Sequence, residues 1–178
     1  MKKLLLLCTI LAAASCSPKI FSIVQIADAQ LGFDAAIKGQ APGAVYVNDL
    51  TYETECFKVA AEYIRNCKPD MIVFTGDQVN LPLDQEQWDK FNELLTLLPS
   101  DVKVMHLPGN HDVRNLGYQS FEELVGERSW KLTMDDNFTV IGLDSASPDE
   151  NKGHVGTPQH MWLEHLHPSH QILQILMR

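Results

Sequence analysis

The sequence predicts an α/β fold built on parallel strands, and three observations carry that reading. Apolar runs at residues 20–27, 71–75 and 102–107 read as strands. Helical periodicity fills the intervals, at 52–66 and 84–98. Strand and helix therefore alternate as far as Leu107, the order expected of parallel strands joined by right-handed crossovers. Each strand also ends in a short polar block: Asp28-Ala29-Gln30, then Gly76-Asp77-Gln78-Val79-Asn80, then Gly109-Asn110-His111-Asp112.

The elements follow in order. Residues 31–48 are rich in Gly, Ala and Pro and show little periodicity, so a long loop is expected beside the strand edge. In the helix at 52–66, Phe57, Ala60, Ala61 and Ile64 form one stripe. Pro69 ends it and Asp70 leads into the second strand. Asp84 is placed to cap the next helix, whose inward residues are Trp88, Phe91, Leu94, Leu95 and Leu98. Pro99-Ser100-Asp101 turns into the third strand, where His106 reads as a satisfied interior histidine. A short helix is expected at 121–125, and residues 130–134 and 138–143 read as a hairpin around Asp135-Asp136-Asn137. Asp144 then reads as a turn residue. Residues 159–166 form a last helix, led by Pro158. Residues 167–178 carry no strand signal and read as an atypical tail, so His165, His167 and His170 are expected in solvent.

Length and composition set the bounds. A chain of 178 residues with 45% hydrophobic content supports one folded domain, placed at residues 19–166. The net charge of −9 argues against nucleic acid, since phosphate backbones are bound by Lys and Arg. It leaves phosphorylated small molecules open, because a bound dication reverses the local sign. Residues 1–15 read as a signal peptide: Lys2 and Lys3 precede an apolar stretch too short for a bilayer span of about 20 residues. Ala13-Ala14-Ser15-Cys16 resembles a bacterial lipoprotein box, which implies lipid attachment at Cys16 and a membrane-anchored protein of the cell envelope. The alternative is a secreted or periplasmic protein with Cys16 as a bystander. Cys56 and Cys67 fall in one helix about 16 Å apart, beyond the Cα limit of about 7 Å for a disulfide. They read as core thiols.

Loops that follow parallel strands gather at one edge of the sheet. Asp28, Gln30, Asp77, Asn110 and His111 are therefore expected to meet in space. Hard oxygen donors beside an imidazole suit a divalent cation.

These blocks resemble the calcineurin-like metallophosphoesterase superfamily, whose pattern runs Asp-x-His, Gly-Asp-x-x, Gly-Asn-His-(Asp/Glu), a later His, then Gly-His-x-His. Gly76-Asp77 and Gly109-Asn110-His111-Asp112 match without a gap, and Gln159, Trp162 and Leu163 match the family's later Gln-x-x-Trp-Leu helix. Gln30 stands where His is usual, as in one branch of the superfamily. The resemblance implies a sandwich of two mixed sheets flanked by helices, and hydrolysis of a phosphate ester with two divalent cations (Mn²⁺, Mg²⁺, Fe or Zn²⁺). It implies that Asp77 bridges the two ions, that Asp28 and Gln30 hold the first, and that Asn110 holds the second. His111 becomes the acid or orienting group, with Asp112 fixing its tautomer and Asn80 a further candidate to orient Asp77. The attacking water would be activated by a cation, so no Ser or Cys nucleophile is needed. An amide oxygen at Gln30 in place of imidazole favours Mn²⁺ or Mg²⁺ over zinc.

Residues 21–166 carry the resemblance, and the later His and the Gly-His-x-His block do not appear. Gly153-His154-Val155-Gly156 lacks the second His, so His154 reads as a bystander. The second half of the sandwich is then expected to be largely missing, with an exposed sheet face that could support a dimer. A non-catalytic, envelope-anchored remnant with a binding or structural role is the competing expectation.

Overall fold

The computed structural model describes residues 20–115, 118–135, 138–148, 152–166 and 171–176. Cys16, His167 and His170 lie outside them. The strand Met71–Thr75 (β2) is buried along its whole length because something covers each of its faces. Ile23–Ile26 (β1) and Lys103–Leu107 (β3) pair with it in parallel on either side, in the order β1-β2-β3. The period-2 alternation of a strand sends Ile72 and Phe74 to one face and Met71 and Val73 to the other.

The first face is covered by two helices, Thr51–Cys67 (α2) and Gln85–Leu95 (α3). Phe57, Ala61 and Ile64 from α2 and Trp88, Phe91 and Leu94 from α3 close over Ile72 and Phe74. Asp84 caps α3 as expected, its Oδ1 accepting the Glu86 and Gln87 amides at 3.0 and 3.3 Å. The second face meets another sheet, made in order of residues 130–135, 138–143 and 171–176. Trp130–Asp135 (β4) and Phe138–Leu143 (β5) pair antiparallel, as the hairpin reading required. Trp130 and Val140 pack against Met71, Val73 and Leu107. The Trp130 indole lies over Gly142, where a Cβ would come within 2.3 Å of the ring, and its Nε1 donates to the His106 carbonyl at 2.7 Å. One side chain thus ties the sheets together. The fold is the expected mixed-sheet sandwich with helices on its flank.

Several expectations are corrected. Residues 31–48 contain a helix, Phe33–Gly39 (α1), entered through Gly32 at φ 90°. Its roughly two turns are too short to register as periodicity. Residues 171–176 form a strand, Gln171–Leu176 (β6), parallel to β5. Its sequence Gln-Ile-Leu-Gln-Ile-Leu does not alternate, so the strand signal was missed. Cys56 and Cys67 are exposed rather than core thiols, since they stand on the shoulder of the Phe57–Ala61–Ile64 stripe. Ala60 is exposed for the same reason. Gln119–Leu124 (α5) and Thr157–Glu164 (α6, with Pro158 in its first turn) lie near their expected places, whereas the third polar block, read as a turn, forms a short helix, Asn110–Val113 (α4).

His106 is interior but not satisfied. Its ring stacks on Phe74 at 5.0 Å and meets the Phe91 ring at 5.9 Å, while Nδ1 is buried without a partner among the described residues. Burial pushes its pKa down to about 4. An unfolded histidine titrates near 6.5, so between those values the unfolded chain binds more protons. Stability from this group is whole above pH 6.5 and is lost as pH falls towards 4. From pH 7 to pH 5 the loss amounts to about 2 kcal/mol. Urea unfolding at both pH values should show His106→Leu losing less stability than the parent by about that amount; equal losses would refute the assignment.

Candidate metal centre

The first two polar blocks are joined by their own backbones before any side chain is considered. Past the end of β1 and β2 the chains continue side by side: the Asp28 amide donates to the Gly76 carbonyl at 3.2 Å, Gln30 to Asp77 at 2.7 Å and Leu31 to Gln78 at 3.2 Å. Asn80 donates back to Leu31 at 2.9 Å. The third block closes on the second, where the His111 amide donates to Asp77 Oδ1 at 2.8 Å. Residues scattered from Asp28 to His111 therefore do meet at the strand edge.

The approach is as close as backbones allow. A Cβ built on Gly76 would lie 2.8 Å from the Gly109 Cα, and one on Gly109 would lie 2.2 Å from Asp77 Oδ1 and 2.3 Å from its amide nitrogen. Gly76 also has φ 105°, open in practice to glycine alone. Asp28, Gln30 and Asp77 take left-handed conformations at φ 53°, 38° and 51°. Each such non-glycine residue costs on the order of 1–3 kcal/mol and persists where the surroundings impose it, most often at functional sites.

Asp112 brackets the second and third blocks. It is fully buried, and its carboxylate gathers the amides of Gln78 (2.8 Å) and Val79 (3.1 Å) on Oδ1 and of Gly109 (2.8 Å) on Oδ2. Burial pushes its pKa up to about 7, while the three amides pull it down. This corrects the expectation that Asp112 fixes the His111 tautomer: both of its oxygens are spent on backbone. The His111 ring instead places Nδ1 3.2 Å from the Asn80 carbonyl. Asn80 was expected to act on Asp77, and acts here on His111 through its main chain.

Asp77 is the buried floor of the site, Gln30, Asn110 and His111 are half-buried, and Asp28 stands exposed at the rim. Burial raises the Asp77 pKa and the charge of Asp28 raises it further, against the His111 amide, the His111 charge and Arg114. Two carboxylates that repel one another, flanked by amide side chains with oxygen donors, fit a hard dication. No group of three or more His, Cys, Asp or Glu suited to a metal occurs among the described residues. The donor set is thus poor in imidazole and thiolate.

Two supporting residues were not anticipated. Gln78 is wholly buried and its Nε2 donates to the Leu107 carbonyl at 3.0 Å, linking the second block to the end of β3. Gln87 Oε1 accepts the Asn80 and Leu81 amides at 3.1 and 2.8 Å. Its signal was present: Gln87 shares the inward stripe of α3 with Phe91 and Leu94, where a polar side chain needs partners. Asp144 is buried rather than a plain turn residue, its Oδ2 accepting Arg128 Nη1 at 2.8 Å and its Oδ1 the Ala146 amide at 2.8 Å. His154 lies with them at a separate groove.

The crystal structure of a dimetal phosphatase from Danio rerio superposes with a TM-score of 0.62 at 15% identity, covering 88% of this chain and 69% of that one, which speaks to the fold. A probable glycerophosphodiester phosphodiesterase of Arcobacter nitrofigilis is 35% identical over 101 residues, or 54% of this chain. The chain covers 36% of that relative's length. Residues 21–176 match the calcineurin-like phosphoesterases as a family, and the chain belongs to that family.

Proposed function

We propose that this protein hydrolyses a phosphate ester using two divalent cations held at the strand edge. The observation that carries the reading is the closure of all three polar turns on Asp77, with the His111 amide on its carboxylate and left-handed backbone at Asp28, Gln30 and Asp77. Asp28 and Gln30 would hold one cation, Asn110 the other, and Asp77 would serve both. Bound dications would supply Lewis acidity towards the phosphoryl oxygens and an attacking water acidified to near neutral pKa.

The chain's own residues do the rest. The Asn80 carbonyl keeps the His111 proton on Nδ1, so Nε2 is the atom left to exchange a proton with the leaving oxygen. Asp112 holds the second and third turns in register without touching the substrate. The Arcobacter relative is named for glycerophosphodiesters, so phosphodiesters are the substrates to test first.

The decisive experiment is hydrolysis of bis(4-nitrophenyl) phosphate by metal-stripped protein supplied in turn with Mn²⁺, Mg²⁺ and Zn²⁺. Activity should return with Mn²⁺ or Mg²⁺ ahead of Zn²⁺, because the donors are hard oxygens. Asp77→Asn should lower it at least about a hundredfold. An Asp77→Asn variant as active as the parent would overturn the reading, and tight stoichiometric zinc would overturn the preference for hard cations. The lack of any three-residue His, Cys, Asp or Glu cluster among the described residues favours a second reading, a non-catalytic binding protein. Under it the protein hydrolyses nothing with any of the three cations.

A further inference from the structure

A cavity of about 660 Å³ opens beside the candidate metal centre and shares Asp28 and Gln30 with it. It lies between α1, α2 and the end of β1, within the size range of small-molecule sites. Its walls are mostly apolar, with Phe33, Tyr52 and Phe57 contributing rings and Ile37 and Ala60 standing towards solvent.

One group in those walls is out of keeping. Glu53 is 8% exposed, and its Oε1 accepts the Asp34 amide at 2.7 Å. Its Oε2 is buried and has no hydrogen-bond partner among the described residues. Asp34 lies in the same wall but is paired with Lys38 at 2.5 Å, which leaves that ammonium committed. A buried carboxylate oxygen without a partner costs free energy until a donor reaches it. The donor that best offsets an anion in an aromatic-lined pocket is a cation.

We propose that this cavity is the subsite for the alcohol portion of the ester, and that it selects an alcohol bearing a primary ammonium on a short apolar body. The apolar part replaces water along Phe33, Tyr52 and Phe57, and an ammonium N–H satisfies Glu53 Oε2 once that side chain turns its buried oxygen into the cavity. A quaternary ammonium has no proton to donate and fits less well. The position beside the phosphoryl group rests on the metal-centre reading, whereas the binding of an amine does not.

The test is calorimetric titration of the full chain, in EDTA, with 2-phenylethylamine and with its uncharged counterpart 2-phenylethanol. The amine should bind on the order of tenfold tighter. Glu53→Gln keeps the shape and the acceptor for Asp34, and should erase the preference. Asp77→Asn, which removes hydrolysis under the metal-centre reading, should leave it intact, so the two ideas fail separately. Should Glu53→Gln not fold, Ala60→Phe fills the cavity from an exposed position and should abolish amine binding with an unchanged far-UV spectrum. Equal affinities for amine and alcohol, a preference that survives Glu53→Gln, or amine binding untouched by Ala60→Phe would each overturn the proposal.

Discussion

Gly109→Ala should cost at least about a hundredfold in metal-dependent hydrolysis while leaving the fold in place. The backbone at Gly109 has φ −103° and ψ 176°, a conformation open to any residue, so the substitution carries no dihedral strain. The whole effect comes from space. The new methyl would stand 2.2 Å from Asp77 Oδ1 and 2.3 Å from the Asp77 amide nitrogen. One of those neighbours is main chain and cannot rotate away, so the carboxylate proposed to serve both cations must move. A displacement of about 1 Å in a reacting geometry costs roughly a hundredfold. Two readouts separate this from simple unfolding: the far-UV spectrum should be retained, and the Tm increase on adding Mn²⁺ should shrink or vanish. Parent-like activity in Gly109→Ala would mean that Asp77 is not part of the site. Gly76→Ala makes a useful contrast, because there φ 105° adds backbone strain to the clash with Gly109 and folding itself should suffer.

Asp112→Ala should destabilise the protein by about 3–5 kcal/mol. Three backbone amides, from Gln78, Val79 and Gly109, lose their acceptor in a place that water does not reach. A domain with a total stability of about 5–15 kcal/mol would be left marginal. Asp112→Asn should fall between the two, since its Oδ1 can still accept while its amide group would face a donor at Gly109. Denaturant midpoints of the three proteins measure the series. A midpoint for Asp112→Ala equal to the parent's would show that the loops hold together without this bracket. Asp112→Asn carries a further expectation: whatever hydrolysis it retains should follow the fraction folded.

The helices and strands around β2 were legible because each obeys a simple period. Phe57, Ala61 and Ile64 mark the inward stripe of α2, while Trp88, Phe91 and Leu94 mark that of α3. The run at 71–75 was readable as a strand buried on both faces. The α1 helix was not legible, because seven residues after Gly32 are too few to establish a period. Nor was β6, whose apolar residues come in adjacent pairs. The thiols were misplaced by a small rotation: Cys56 and Cys67 share a face of α2, but that face borders the core rather than entering it.

The candidate site divides along the same line. Which residue types end the strands could be read from local order alone, since Asp28, Asp77 and Asn110 each follow an apolar run directly. How those ends are held together could not, because the contacts that do it span 29 to 34 positions and link main chain to side chain. A linear pattern records which side chain stands where, but it carries no trace of whether a carboxylate meets a ring or three amides. For that reason three amides, not the His111 ring, meet Asp112, and the ring meets the Asn80 carbonyl. Local chemistry is written in neighbouring letters, whereas burial, the crowding between Gly76 and Gly109 and the unmet oxygen of Glu53 come into being only when distant segments share one small volume.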